Sequence, residues 1–176
     1  MSKLFVVVGP SGAGKDTLLA AVVAACPEVY LVRRVITRPA EAGGEAHEAA
    51  DIDSFLQRAE RGDFAAAWTA HGLSYGIPKR ELESGAAVTV FNGSRAALPE
   101  ILTSLPDARV IEITASDDVL AQRLALRGRE TAEDILARLR RARFSAPMPT
   151  KDVIRIENDG ALEDAAAQLK KALIGD

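Results

Sequence analysis

Apolar residues follow two rhythms along this chain. Leu4 to Val8 is an unbroken apolar, β-branched run, suited to a parallel strand buried on both faces. Leu18, Leu19, Val22 and Val23 then recur at the i, i+1, i+4, i+5 spacing of an amphipathic helix that ends near Pro27. Tyr30 to Ile36 predicts a second strand, interrupted by Arg33 and Arg34, and the polar, Gly- and Pro-containing stretch Thr37 to Glu48 predicts a loop. Asp51 to Arg61 reads as a short helix with Ile52, Phe55 and Leu56 on one face, stopped by Gly62. Phe64 to Thr69 and Leu73 to Ile77 read as short strands around a turn at His71-Gly72.

Further on, Ala87 to Phe91 and Ala108 to Ile113 are buried-strand patterns, the first followed by the loop Asn92-Gly93-Ser94 and a helix from about Arg95. Ser116 caps a helix running to Arg127, with Asp117 and Asp118 in its first turn. Arg127-Gly128-Arg129 is a break, and Thr131 with Asp134 starts a helix ending near Phe144. Val153 to Ile156 and Ala161 to Ile174 give a last strand and a last helix. Alternating strands and helices predict an α/β fold, a parallel sheet with helices on both faces. The stretch from 37 to 79 breaks that alternation and predicts a small second lobe on a core of residues 1–36 and 80–176.

Bulk numbers narrow the class. A chain of 176 residues is one domain that buries roughly 70% of its unfolded surface and needs no disulfide staples. With 48% hydrophobic and 27% charged residues it is an ordinary globular composition. A formal net charge of −3 argues against nonspecific nucleic-acid binding. Cys26 is alone, which excludes an intrachain disulfide or a cysteine zinc site. No run approaches the roughly 20 apolar residues of a membrane span, and no secretory leader is read at the N-terminus. The expectation is a cytoplasmic protein, monomer or homodimer, acting on a small molecule without nucleic acid or membrane.

The chemistry concentrates in Gly9-Pro10-Ser11-Gly12-Ala13-Gly14-Lys15-Asp16, which fits the phosphate-cradling pattern G-x-x-x-x-G-K-[ST] at every position but the last. Strand, Gly-rich turn and helix start together make an anion site, because unpaired amides and the positive end of the helix dipole face one point. Lys15 adds a mobile charge for the β- and γ-phosphates of a nucleoside triphosphate. Asp16 stands where a hydroxyl normally ligates Mg²⁺. A carboxylate is also a hard oxygen ligand, and a first-turn carboxylate equally stabilises a helix through its dipole. Thr17 offers a hydroxyl instead, pointing about 100° away around the helix.

With the phosphate loop go Thr37-Arg38, Tyr75-Gly76, Arg123-Leu124, Arg127-Gly128, Glu130-Thr131, Arg138-Leu139 and Asn158-Asp159. On these residues the chain resembles, over nearly its full length, the guanylate-kinase-like branch of the nucleoside-monophosphate kinases. Within that branch it is most similar to the ribose 1,5-bisphosphate phosphokinase family. The discriminating matches are Gly14-Lys15-Asp16, Ile36-Thr37-Arg38, Ala42 to Glu48, Trp68, Gly72, and Asn92-Gly93-Ser94-Arg95. The resemblance implies a P-loop, nucleoside-monophosphate-kinase-like three-layer fold with a parallel sheet, an acceptor-binding lobe and an Arg-bearing lid near residues 127–131. It implies Mg²⁺-dependent transfer of a phosphoryl group from ATP to ribose 1,5-bisphosphate, giving the phosphoribosyl diphosphate of the phosphonate pathway. The departures from guanylate kinase point the same way. Its second phosphate-binding arginine falls on Glu41, its guanine-binding glutamate on Ala66, its paired tyrosines on Ser74-Tyr75, and its Asp-x-Asp on Val90-Phe91-Asn92. A site that loses its base-reading polar groups loses orders of magnitude in discrimination.

By the same resemblance Arg127 and Arg138 close on the transferring phosphoryl group as an arginine finger in cis does. Arg38 is the leading acceptor-phosphate ligand, since a guanidinium fork matches phosphate oxygens. Tyr75 either donates its hydroxyl to an acceptor phosphate or packs the small lobe. Asn92, Ser94 and Arg95 follow a central strand, where open α/β sheets place ligands; Arg95 binds the 5-phosphate or only starts a helix. Glu45 and His47 are candidates for sugar hydroxyls, His47 with a structural role as its alternative, and Trp68 reads as core. Two rivals stand beside this reading, a guanylate or other nucleoside-monophosphate kinase and a non-catalytic guanylate-kinase-like interaction module.

Overall fold

The computed structural model describes residues 2–42, 45–126, 128, 131–142, 148–150 and 152–175. Five strands form a parallel sheet: β1 (Lys3–Val8), β2 (Val29–Leu31), β7 (Val88–Asn92), β8 (Arg109–Thr114) and β9 (Val153–Glu157), in the spatial order β2-β7-β1-β8-β9. Their side chains alternate between two cores. Phe5 and Val7 of β1, with Ile111 and Ile113 of β8, pack beneath α1 (Lys15–Ala25) and α7 (Leu162–Ile174). Val6 and Val8 face the other way with Phe91 and Val110, against α4 (Leu98–Ser104) and the second lobe. Both faces are therefore covered, as a parallel sheet requires.

The second lobe is a sheet ordered β4-β3-β6-β5, from β3 (Val35–Ile36), β4 (Glu48–Ala49), β5 (Phe64–Ala70) and β6 (Leu73–Pro78). β5 and β6 form a hairpin whose two-residue turn, His71-Gly72, has positive φ at both positions, the geometry that suits the strands' twist. Helix α2 (Ile52–Glu60) is capped by Asp51, whose carboxylate accepts from the Ser54 amide, and Phe55 anchors it by stacking on Phe64. A short helix α3 (Lys79–Leu82) returns the chain to the main sheet. Ala66, Trp68 and Ile77 join the core beneath Val6, Val8 and Phe91, so lobe and sheet share one apolar interior.

Three expectations need correction. Residues 30–36 are not one strand: β2 ends at Leu31, and β3 lies in the other sheet, antiparallel to β6. The Arg33 amide leaves the ladder to donate to Glu81 Oε2 (2.8 Å), which also accepts from the Tyr30 hydroxyl (2.8 Å). That bond, with burial, raises the Tyr30 pKa above its ordinary value. The stretch 37–48 is not simply a loop, since it contains a 3₁₀ turn at Ala40–Ala42 and delivers β4 parallel to β3. After β7 the chain makes a 3₁₀ turn at Arg95–Ala97 before α4 begins.

On the far side, α5 (Asp117–Ala125) begins as expected at Ser116, whose hydroxyl accepts from the Val119 amide. It packs on α6 (Ala132–Ala142) through Ala121, Leu124 and Ile135. Thr131 caps α6, its hydroxyl accepting from the Asp134 amide. Arg127, Arg129 and Phe144 lie outside the described residues, and Arg138 is described only as part of the α6 backbone.

The lobe gives two tests. A Cβ on Gly76 would come within 2.7 Å of the Phe64 ring. Gly76→Ala is expected to cost about 1–3 kcal/mol by overpacking, read as a drop in melting temperature of about 2–4 °C per kcal/mol. Glu48 accepts from Arg58 and Arg80, each at 2.6 Å. Burial pushes its pKa up, but the two guanidinia outweigh this and hold it below the ordinary carboxylate range. The unfolded chain therefore takes up this proton first on acidification. Glu48's contribution is complete above the ordinary carboxylate pKa and is lost as pH falls through the depressed folded value. Glu48→Gln is expected to remove that part of the acid limb in pH-dependent denaturation.

Candidate active site

The phosphate loop runs from the end of β1 into α1. Gly14 is the N-cap at φ 88°, a left-handed conformation that favours glycine, and a Cβ there would meet the Asn158 amide nitrogen at 2.6 Å. Gly9 passes so close to the Ile113 carbonyl that any side chain would collide with it. The cradle is thus shaped to leave its concave side for a ligand. Lys15 folds back along the loop, with Nζ donating to the carbonyls of Gly9 (2.8 Å) and Pro10 (3.1 Å).

The loop is held from behind by residues distant in sequence. Asn158, buried just past β9, donates from Nδ2 to the Ala13 carbonyl (2.8 Å). Arg123 of α5 donates to the Gly12 carbonyl (3.3 Å) and to the Asn158 carbonyl (2.7 Å). Asp159 accepts from the Ser116 amide (2.6 Å), tying the start of α5 to the same turn. These residues enter the sequence reading only as marks of resemblance. Their role is visible once β9 and α5 are seen to flank the loop.

In front of the loop lies a cavity of about 720 Å³ lined by Gly14, Lys15, Asp16, Thr17, Glu45 and Asn92, among others. It joins the nucleotide side of the site to the second lobe. Asn92 Nδ2 donates to Asp16 Oδ1 (2.7 Å) and to Glu45 Oε2 (3.1 Å), so a single amide gathers two carboxylates. Asp16 and Thr17 are both exposed at the head of α1, and each carries a side-chain oxygen of the hard kind that suits Mg²⁺. The donor set and the glycine cradle therefore fit a magnesium–triphosphate ligand.

The remaining candidates fall in three places. Arg38 stands at the lobe end of the 38–47 segment, its Nη2 3.4 Å from His47 Nδ1. His47 is buried, and its ring nitrogens lie against the carbonyls of Glu45 (3.1 Å) and Arg38 (3.2 Å). It staples the segment that presents Arg38 and Glu45, the structural alternative among its two readings. Tyr75 packs in the lobe, its ring stacked on Trp68 with centroids 5.6 Å apart. Ser94 and Arg95 stand apart from the phosphate-loop cavity. The Ser94 backbone carbonyl accepts from the Ala97 amide, while Arg95 pairs with the buried Glu112 (3.4 Å) in a second cavity of about 610 Å³. That cavity touches Gly9 and Pro10 and lies below Leu139 of α6. Sequence reasoning also missed Arg34, a charged residue that it took for a mere interruption of a strand.

The guanylate kinase family model matches residues 1–175. A protein of Agrobacterium fabrum named ribose 1,5-bisphosphate phosphokinase PhnN is 47% identical, over 97% of this chain and 95% of its own length. One of the same name from a Ruegeria species is 44% identical over 92% of this chain and 86% of its own. A Cupriavidus necator protein named bifunctional ribose 1,5-bisphosphokinase-thymidine phosphorylase is 44% identical over 96% of this chain, which spans 28% of that longer protein. Among solved structures, guanylate kinase of Anaplasma phagocytophilum superposes with a TM-score of 0.67 at 19% identity, covering 97% of this chain and 84% of its own. That likeness shows a shared fold.

Removing the amide behind the loop tests its role. Asn158→Ala leaves the Ala13 carbonyl buried without its donor, an expected loss of about 1–3 kcal/mol in denaturant unfolding. Binding of a triphosphate is expected to weaken with it, as calorimetry would measure; unchanged stability and binding would contradict the role.

Proposed function

The chain belongs to the guanylate kinase family, among its ribose 1,5-bisphosphate phosphokinases, and on that footing we propose that it transfers the γ-phosphoryl group of ATP to the 1-phosphate of ribose 1,5-bisphosphate. The products are ADP and 5-phospho-α-D-ribose 1-diphosphate. The observation that carries the acceptor is the 47% identity maintained through 95% of a relative of that name. The site supports it. Where guanylate kinases are expected to carry a base-reading glutamate this chain has Ala66, 4% exposed and packed in the shared core.

Chemically, the bond from the γ-phosphorus to the β–γ bridging oxygen breaks and a bond to an oxygen of the 1-phosphate forms. That oxygen carries no proton at neutral pH, since a phosphate monoester loses its second proton near pH 6, about one unit below neutrality. No general base is required, and the task is to bring two polyanions into line and neutralise them. Backbone amides of residues 9–15 and the Lys15 ammonium would take the triphosphate. Asp16, or Thr17 beside it, would hold Mg²⁺, which supplies charge neutralisation at the β- and γ-oxygens when bound. Arg38 would take an acceptor phosphate, and Glu45 with Asn92 would meet the sugar. Arg127, outside the described residues, and Arg138, described only as backbone, are proposed to close on the transferring group.

A coupled assay is expected to record ADP formation with ribose 1,5-bisphosphate and none with GMP. The reverse pattern would replace this reading with a nucleoside-monophosphate kinase. Lys15→Ala is expected to lower turnover by about 10²–10³-fold or more with an unchanged melting temperature. Retained turnover would contradict the assignment, and a failure of the wild-type protein to bind Mg-ATP would indicate a non-catalytic module.

A further inference from the structure

Arg34 is 8% exposed, an unusual position for a guanidinium unless its charge is balanced. The structure balances it on one side and stacks it on another. Nε donates to Glu45 Oε1 at 2.6 Å, and the guanidinium carbon lies 5.0 Å above the Tyr75 ring. Tyr75 is itself stacked on the buried Trp68 at an interplanar angle of 5°. Trp68 and Arg34 thus both meet the Tyr75 ring, a cluster built from β5, β6 and the residue before β3.

Glu45, paired with Arg34, connects that cluster to the site. Its side chain is 11% exposed and lines the cavity before the phosphate loop, and its second oxygen accepts from Asn92. A carboxylate in a cavity for phosphates repels both substrates unless a cation stands behind it and hydroxyl groups stand before it. Arg34 is the cation behind. An ionised carboxylate offers about four lone-pair sites, so bonds to Arg34 and Asn92 leave capacity for hydroxyl donors. Of the two substrates, the sugar bisphosphate presents hydroxyls beside the reacting phosphate.

We propose that Arg34 is a positioning residue for the phosphoryl acceptor: clamped on Tyr75, it fixes the Glu45 carboxylate against Asn92 so that the carboxylate accepts hydrogen bonds from the sugar hydroxyls. Arg34 touches neither substrate and acts only through Glu45. The inference rests on the sugar-bisphosphate reading given above, and it predicts a selective defect, because the nucleotide is gripped by a different wall of the cavity.

Steady-state kinetics on Arg34→Ala, Arg34→Lys, Glu45→Gln and the double variant test it, with melting curves as a folding control. Arg34→Ala is expected to raise the KM for ribose 1,5-bisphosphate about tenfold or more, with the KM for ATP within about twofold of wild type. Arg34→Lys keeps the charge without the guanidinium fork and is expected to recover part of that loss. Because Arg34 acts through Glu45, the double variant is expected to be no worse than Glu45→Gln alone. Equal rises in both Michaelis constants, no rise in either, or additive losses in the double variant would overturn the inference while leaving the functional reading standing. A wild-type enzyme inactive on ribose 1,5-bisphosphate would overturn both. Should Arg34→Ala melt below assay temperature, Arg34→Lys alone and combined with Glu45→Gln carries the same test, non-additive losses supporting it and additive ones contradicting it.

Discussion

A cradle for phosphate cannot hold its shape with its own eight residues. Lys15 meets the carbonyls of Gly9 and Pro10 from within the loop, but those of Gly12 and Ala13 need donors from elsewhere in the protein. Asn158 and Arg123 are those donors, bonding the carbonyls of Ala13 and Gly12 from the turn after β9 and from α5. This contact explains why the last strand and its following turn belong to the site although they lie 145 positions from the loop. It also explains the intolerance at Gly14, whose missing Cβ leaves room for the Asn158 amide.

The second constraint is charge. A reaction between two polyanions invites cations, yet the cavity wall carries Asp16 and Glu45. Asn92 reconciles them, donating to both carboxylates from the end of β7, the strand beside the central β1. Lobe and nucleotide loop are thereby joined through a neutral amide. On the lobe side His47 and Arg34 hold the segment that delivers Glu45, one by stapling carbonyls and the other by pairing with the carboxylate.

Much of this was legible in the residues. The apolar run Leu4–Val8, the glycine pattern and the helix after it needed no tertiary information, because strand, nest and helix dipole are set locally. The His71-Gly72 turn announced its hairpin for the same reason. What escaped was decided at a distance. Residues 30–36 look like one strand because alternation alone does not show that the Arg33 amide finds Glu81 instead of a neighbouring strand. Arg34 looked like a flaw in that strand, and only the fold brings Glu45 and Tyr75 to it. Arg95, read beside Asn92, pairs instead with Glu112 in a second cavity, one that borders Gly9 and Pro10, since the 3₁₀ turn takes it out of the cavity that Asn92 lines.

The reaction is best seen in its phosphorus atoms. Phosphorus NMR of the enzyme with Mg-ATP and ribose 1,5-bisphosphate follows each phosphate separately. The expected spectrum shows ATP converted to ADP, a new diphosphate pair on C1 of the sugar, and the C5 phosphate monoester unchanged. Extension of the C5 phosphate, or an unaltered sugar bisphosphate beside bound ATP, would contradict the placement of the acceptor opposite the phosphate loop.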